Sequence, residues 1–527
     1  MKIFLLMAAF LAVMPVPDRD AAILAITGAS DIEELDEQTM ERFEAFADHP
    51  LKLNGCGRSR HLSSGMFTEY QAASLLDYME RSGDILSWSE LGLVDGFSPA
   101  LATALSCFCS LESANAPGST GSRKASHIIM LRAAMKTDGP VNVDYCYGAK
   151  YNFSLAEKLE LNWGSRTTYS DGRITPGTAS IAYYGKRHLG KIVAGDFNAR
   201  FGQGLAQWSG FSLSSYSSVT AMMRKGTGLS ASKSFTRSLH GAGADFDFGR
   251  WSASAAWAWP GTALGHVSWN GKTVSLGASA VYDRKIGPAF SADWQAGMGS
   301  VCFYGEACLS QAGGISEVSG LSWAPAYGMK TAILHKFTEG AHQTIAGFEN
   351  KWITTTIDAV WQSSYKALLK VSPTIGLGQF TLSPTLRMKA TYKPEDKNPT
   401  RIEARAEGSL GYGSWTLSGR YDRVWCQSSS WFWYAEAGRK SKLSAYIRFA
   451  LFKIDDWLDR IYVYERDAPG SFNVPAYYGR GFSASVVASY KYGKQCLHLR
   501  ASTVRYPWNL TDKSPKTEIK IQYQLKL

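Results

Sequence analysis

At 527 residues, with 56 Lys and Arg against 45 Asp and Glu, the chain is basic overall and long for a single compact soluble domain. Apolar residues make up 45% of it, yet no run reaches the 18 apolar residues of a membrane helix, which excludes helical spans. Aromatics at 13% and 50 glycines favour strands joined by tight turns.

The first residues, MKIFLLMAAFLAVMPVP, carry a lysine and then an apolar stretch from Ile3 to Val16. That is the length of a secretory signal and too short to cross a bilayer, so residues 1–25 are read as a signal peptide. Charge is unevenly spread: Asp18 to Lys124 holds 17 acidic and 8 basic residues, and residues 125–527 carry a net +19. An acidic front and a basic body imply two parts with different jobs. The eight cysteines show no C-x-x-C pair and no zinc-ligand spacing, so no metal or cofactor is expected. One bridge, from Cys56 to Cys107 or Cys109, is left open.

Residues 26–113 read as a small all-α module. DIEELDEQTMERFEAFADHP is an acidic helix with Ile32, Leu35, Phe43 and Phe46 on one face, stopped by Pro50. Gly65 then precedes a helix from about Thr68 to Arg81. Ser87-x-x-Glu90 is a capping box, and Ser98 followed by Pro99 caps another helix. Over Lys52 to Leu111 this resembles the double helix-hairpin-helix domain of the competence DNA receptor family, most specifically in DYMERSGDILSWSELGLVDGF. In that family the hairpin reads Gly-apolar-Gly, so that bare N–H groups at a helix start grip a DNA phosphate. Here Gly65-Met66-Phe67 and Gly96-Phe97-Ser98 keep the first glycine and lose the second. Gly65, Thr68, Gly96 and Ser98 are therefore the candidate contacts to DNA or to a partner. Four basic residues face seven acidic ones between Leu51 and Glu112, a poor surface for neutralising phosphates. Docking of a protein, or plugging, is the expected role.

Ala114–Lys124 (ANAPGSTGSRK) is small and polar and reads as a linker. Beyond it the period changes from 3.6 to 2. FTLSPTLRMKATYK sets Phe380, Leu382, Leu386 and Met388 against Thr381, Ser383, Arg387 and Lys389, and RIEARAEGSLGY returns in the same way. Several such segments run ten residues or more, where soluble strands average about 5–6 and outer-membrane strands need about 9–11. Residues 125–527 are thus expected to form a large antiparallel transmembrane β-barrel of about 16–22 strands, closed by the final TEIKIQYQLKL. The fold class is mainly β, with the helical module in front. Arg387, Lys389, Arg401 and Arg405 share the polar face of adjacent strands, which implies a lumen that prefers anions.

Two blocks exceed simple alternation: AGDFNARFGQGLAQWSGF (Ala194–Phe211) and DRIYVYERDAPGSFNVPAYYGRG (Asp459–Gly481). They look like the signature blocks of a Bacteroidota family that joins a helix-hairpin-helix front to an outer-membrane barrel. The resemblance implies architecture and location more than an activity. Its signature positions here are Asp196, Arg200, Gly202, Gly204, Trp208, Arg460, Tyr462, Tyr464 and Glu465. Asp196, Asn198 and Arg200 would face the lumen, and Arg460, Glu465, Arg466 and Asp467 are placed to form a buried charge network. No G-x-S-x-G elbow, H-E-x-x-H or phosphate loop occurs, and the nine histidines are dispersed. The leading expectation is a non-enzymatic outer-membrane barrel acting in passage or assembly of a macromolecule, the module lying in the periplasm or the lumen. Its partners would be outer-membrane lipid and a periplasmic or outer-membrane protein. The alternatives are a DNA-uptake conduit and an outer-membrane hydrolase.

Overall fold

The computed structural model describes residues 19–29, 35, 37–113, 125–139, 142–155, 158–169, 172–175, 177–185, 188–210, 218–235, 238–271, 273–310, 314–325, 329–350, 352–362, 364–373, 375–377, 380–396, 398–468, 471, 473–509 and 513–527. The apolar leader as far as residue 18, Ile32 and the linker 114–124 lie outside the described residues.

Strict alternation after the linker produces strands whose two faces meet different surroundings. Along Phe380–Tyr392, Leu386 and Met388 are 59% and 58% exposed on the outside, while Arg387 and Lys389 are half-buried on the inside. Twenty-four antiparallel strands close into one barrel. Ala125–Asp138 and Lys516–Lys526 make the seam, in register from Ile128 opposite Lys526 to Asp138 opposite Lys516. The count exceeds the 16–22 expected because the turns are short: only Gly299 and Ser300 separate Gly287–Met298 from Val301–Ser310. The seam defines a near end, where Ala125 and Lys526 lie, and a far end. Exposed aromatics ring both. Tyr183, Trp251, Trp323, Tyr412 and Trp415 lie toward the near end, and Trp257, Tyr282, Trp361 and Tyr392 toward the far end.

The helical module comprises α1 (Arg19–Thr27), α2 (Glu37–Asp48), α3 (Arg58–Ser63), α4 (Glu69–Ser82), α5 (Trp88–Leu91) and α6 (Pro99–Leu105). The caps are made by side chains. Thr68 Oγ1 accepts from Gln71 N at 3.1 Å while Gln71 Oε1 accepts from Thr68 N at 3.0 Å, and Ser98 Oγ accepts from Leu101 N at 3.2 Å. Glu90 reaches past Ser87 to the N–H of Leu86. Every buried apolar side chain of the module's core belongs to the module, from Ala22 and Ile26 through Phe43, Leu75 and Phe108. Ala22 and Ile23 fall within the stretch read as signal peptide. Among the described residues no disulfide joins the cysteines, so the bridge left open for Cys56 is not made.

Candidate functional site in the lumen

The module sits inside the barrel at the near end, held to the wall largely by polar contacts, with the Tyr70 ring packed on Gly297. Arg60 of α3 pairs with Glu160, and Glu41 of α2 accepts from Lys150 Nζ at 2.8 Å. Arg58 donates to Ser268 Oγ at 3.0 Å, Ser59 to Asp247 at 3.2 Å, and Gln38 accepts from Asn198 at 3.0 Å. Asp48 pairs with Lys526 beside the seam. Glu69 lies 3.1 Å from Arg58 and 3.5 Å from His266 of the wall. Burial works to raise its carboxyl, but the hydrogen bond and charge of His266, with Arg58 behind them, prevail and hold it below the usual carboxylate range. Between α2 and the seam strands a cleft of about 100 Å³ remains, lined by Glu44, Arg60, Asn162, Lys233 and Lys526 among others.

A second body enters the lumen from the strand Leu189–Arg200. That strand keeps its wall partner only as far as Phe197, then pairs with the short Gly228–Ala231. Phe197, Ala199 and Phe201 pack outward against Ala182, Ala258 and Leu264. Next, the N–H groups of Gln203, Leu205 and Ala206 converge on the Glu306 carboxylate at 2.7, 3.0 and 3.2 Å. Gly202 and Gly204 make this cradle, with φ of +53° and +84° that residues bearing a Cβ rarely adopt. Val219 and Met222 then bury themselves against Tyr304, Val318 and Leu334 of the wall. Lys225 reaches back to the module, donating to the carbonyls of Ile26 at 2.5 Å and Met66 at 3.1 Å. Burial, with Lys330 nearby, lowers that amine to about 7.

The third body is the segment Asp456–Tyr478, which crosses the inner wall at the far end. Arginines of four wall strands take every second carbonyl along it. Arg401 donates to Leu458 and Arg460, Arg420 to Tyr462, Arg448 to Tyr464 and Arg500 to Arg466. The segment's acids complete the attachment. Asp459 accepts from the N–H of Gln427 and Ser428 and from two serine hydroxyls, Glu465 pairs with Arg500, and Asp467 with Lys520 at 2.5 Å. Arg466 meets Glu436 at 2.6 Å. An extended strap thus lies along an arginine ladder.

These contacts locate the residues singled out by sequence. Asp196 is buried, accepting from Ala179 N at 2.7 Å and facing His240 at 3.1 Å. Arg200 and Arg224 lie over the Trp208 ring at 5.3 and 5.0 Å. Arg460 stays within the strap, against Tyr462 and Trp457. Gly65 and Thr68 turn inward: Met66 and Phe67 are fully buried, and a Cβ on Gly65 would strike Arg42. Gly96 lies on the module's exposed side, with Ser98 half-exposed beside it. The four basic residues expected to set an anion preference are mostly neutralised. Lys389 and Arg401 share Glu403, and Arg405 pairs with Asp422 at 2.8 Å. Only Arg387 makes no hydrogen bond or ion pair among the described residues. Sequence reasoning missed Arg60, Glu160, Glu306, Arg420, Arg448 and Arg500. The available signal was a charge on the inner face between apolar neighbours, as for Arg448 in AYIRFAL. Ser279, His266 and Glu69 bring together the residue types of a hydrolytic triad, with Ser279 Oγ 2.9 Å from His266 Nδ1. Ser279 is 4% exposed, and Phe201 stacks on the imidazole at 4.8 Å.

A closed antiparallel cylinder with an apolar outer belt and aromatic rims pairs strand to strand around its circumference, the arrangement a bilayer demands. The chain is an outer-membrane-type β-barrel. No protein-family profile matches it, and no curated protein does. Solved structures similar to it include the outer membrane protein opdK from Pseudomonas aeruginosa, at 11% identity and a TM-score of 0.34, covering 77% of this chain and 99% of that one. The P pilus usher (PapC) translocation pore is similar at 9% identity and a TM-score of 0.39, covering 76% and 99%. Likenesses at these scores carry nothing about function.

Proposed function

We propose that this barrel is a gated, non-enzymatic passage for a macromolecule across the outer membrane, shut in the present arrangement by its own module. The supporting observation is the contrast between the module's core and its seat. The core closes on itself, whereas the seat is made largely of hydrogen bonds and ion pairs, which favours release of the module as one folded body. We read the module as a helix-hairpin-helix domain whose second hairpin serves a periplasmic protein. Leu86 and Leu93 there are 80% and 84% exposed among acidic neighbours. DNA uptake is the second reading. The buried first hairpin and the net acidic surface argue against it. The Bacteroidota signature blocks, Ala194–Phe211 and Asp459–Gly481, contribute the inward loop and the strap in this reading.

A tether tests the gate. A Cβ built on Gly190 would stand 3.1 Å from Ser59 Cβ, close to disulfide range, so Ser59→Cys with Gly190→Cys would bolt α3 to the wall. Conductance steps in planar bilayers under urea or applied voltage should vanish in the oxidised variant and return on reduction. Equal conductance in both states would reject a moving plug.

A further inference from the structure

Basic side chains leave the outer face of the wall bare except at one place on its far rim. Among the described residues, Lys and Arg face outward on the strands at Arg439, toward the near end, and at Arg423, Lys453, Arg480 and Arg505, all at the far end. The far-end group belongs to neighbouring strands, Trp415–Trp425, Leu443–Ile454, Gly479–Tyr492 and Gln495–Arg505, with Ser429–Arg439 between the first two. Alternation fixes their direction. Val424, Phe452 and Val504, each one residue from Arg423, Lys453 or Arg505, pack inward with Ile461 and Val463 of the strap. Arg480 stands opposite Lys453 and shares its face.

Register sets these residues in rows. Arg423 pairs across the sheet with Trp431, Trp431 with Lys453, and Lys453 with Arg480. One outward rung toward the near end, Tyr421, Trp433, Leu451, Phe482 and Arg505 follow in the same way. A basic row thus lies above an apolar and aromatic one. Like charges directly opposed in a sheet repel, and charge on a lipid-facing wall is tolerated only toward the interfaces. Asp455 answers part of it, accepting from Arg480 at 2.5 and 3.0 Å and lying 4.0 Å from Lys453. Asp456 is turned instead to the N–H of Leu458. Arg423 donates to the hydroxyl of Ser429, a neutral acceptor, and Arg505 is exposed beside Phe482. Among the described residues, Arg423, Lys453, Arg480 and Arg505 therefore share the single carboxylate of Asp455 on this face. The surplus is positive, at the level where a bilayer sets its headgroups. Guanidinium forks and an ammonium are the donors that suit a phosphate.

From this geometry we infer that the outward face bearing Arg423, Lys453 and Arg505 is a binding site for a phosphorylated lipid of the outer leaflet. The headgroup phosphate is taken by the basic row, and the acyl chains lie along Trp433, Leu451 and Phe482. Turn lengths supply the leaflet. The near-end turns 249–250, 299–300, 413–414 and 493–494 hold two residues each, whereas the far end carries the long connections 455–478 and 506–515. Short turns mark the periplasmic side of such barrels, which leaves the far end to the outer surface. The site holds whether or not the plug moves, so its failure is distinct from failure of the gate.

Native mass spectrometry of the detergent-solubilised full chain reads the bound lipid directly. The probes are lipid A, a diphosphorylated glycolipid, and the same lipid stripped of its phosphates. Lipid A should bind, and less well as salt is added, while the stripped form should bind about tenfold more weakly or worse. Each basic residue near an anionic lipid surface is worth about fivefold in affinity. Arg423→Gln with Lys453→Gln and Arg505→Gln should therefore weaken lipid A binding by about a hundredfold. Arg439→Gln, on the outer face at the near end, should leave it unchanged. Heat-modifiable mobility, the gel signature of a folded barrel, verifies each variant, and the comparison of the two lipids on the unaltered chain needs no variant at all. Equal binding of lipid A and its stripped form, or a loss of less than about tenfold in the folded triple variant, overturns the inference.

Discussion

Replacing Glu306 by glutamine tests whether the inward loop is held by charge. The carboxylate is fully buried, and its two oxygens collect three backbone N–H groups. Hydrogen bonds to a charged group contribute about 1.5–3 kcal/mol each, neutral ones about 0.5–1.5. Glutamine keeps one carbonyl oxygen, able to hold Gln203 and Leu205, but turns an NH₂ toward Ala206. One bond is lost and two weaken, about 3 kcal/mol in all. Against this, Asp293 stands directly opposite Glu306 across the sheet, and removing one of two facing carboxylates relieves repulsion. A net loss of about 2 kcal/mol raises local opening of the loop roughly thirtyfold. Amide hydrogen exchange by mass spectrometry should show faster exchange over residues 202–206, with the seam strands unchanged. Glu306→Ala, which removes both acceptors, should exceed it. Unaltered or slower exchange in Glu306→Gln would show that facing-carboxylate strain outweighs the cradle, and the loop would then not be anchored by charge.

His61 offers a pH test, since burial holds its imidazole down to about 4 against an ordinary 6.5. Between those values the unfolded chain takes a proton that the folded module refuses, so stability falls as pH drops from 6.5 to 4, by about 3 kcal/mol. Module amides should lose protection over that window, less so in His61→Phe. Duplex DNA should not bind the solubilised chain at physiological salt. Tight, salt-sensitive binding abolished by Gly96→Val would instead make DNA uptake the leading reading. A fluorophosphonate probe should leave Ser279 unlabelled; labelling lost in Ser279→Ala would establish the hydrolase alternative.

The barrel was legible because period-2 alternation survives in single strands, and Ile519, Ile521, Tyr523 and Leu525 mark one unbroken face. Helix starts at Thr68 and Ser98 were legible for a local reason too, since a cap and its N–H partner lie three residues apart. What stayed hidden is what pairing over long separations decides. Arg60 meets Glu160 a hundred residues on, and nothing near either announces the other. Ala194–Phe211 was recognisable as unusual, but alternation alone keeps Phe197 and Phe201 on the wall. The inward course of the chain beyond Phe197 follows from losing its wall partner there, a fact about the neighbouring strand. The basic face of Arg387, Lys389, Arg401 and Arg405 was visible, and its neutralisation was not, because Asp422 lies on a third strand.

Because Ala125–Asp138 and Lys516–Lys526 are the edges that meet, the cylinder stays open until its final strand arrives. The module precedes every wall strand along the chain and completes its own core without them. An incomplete sheet can therefore curl around a finished object, meeting Arg60 and Glu41 with Glu160 and Lys150 before the seam zips. That chain order permits assembly from the inside outward, with the module as the mandrel on which the wall is wound.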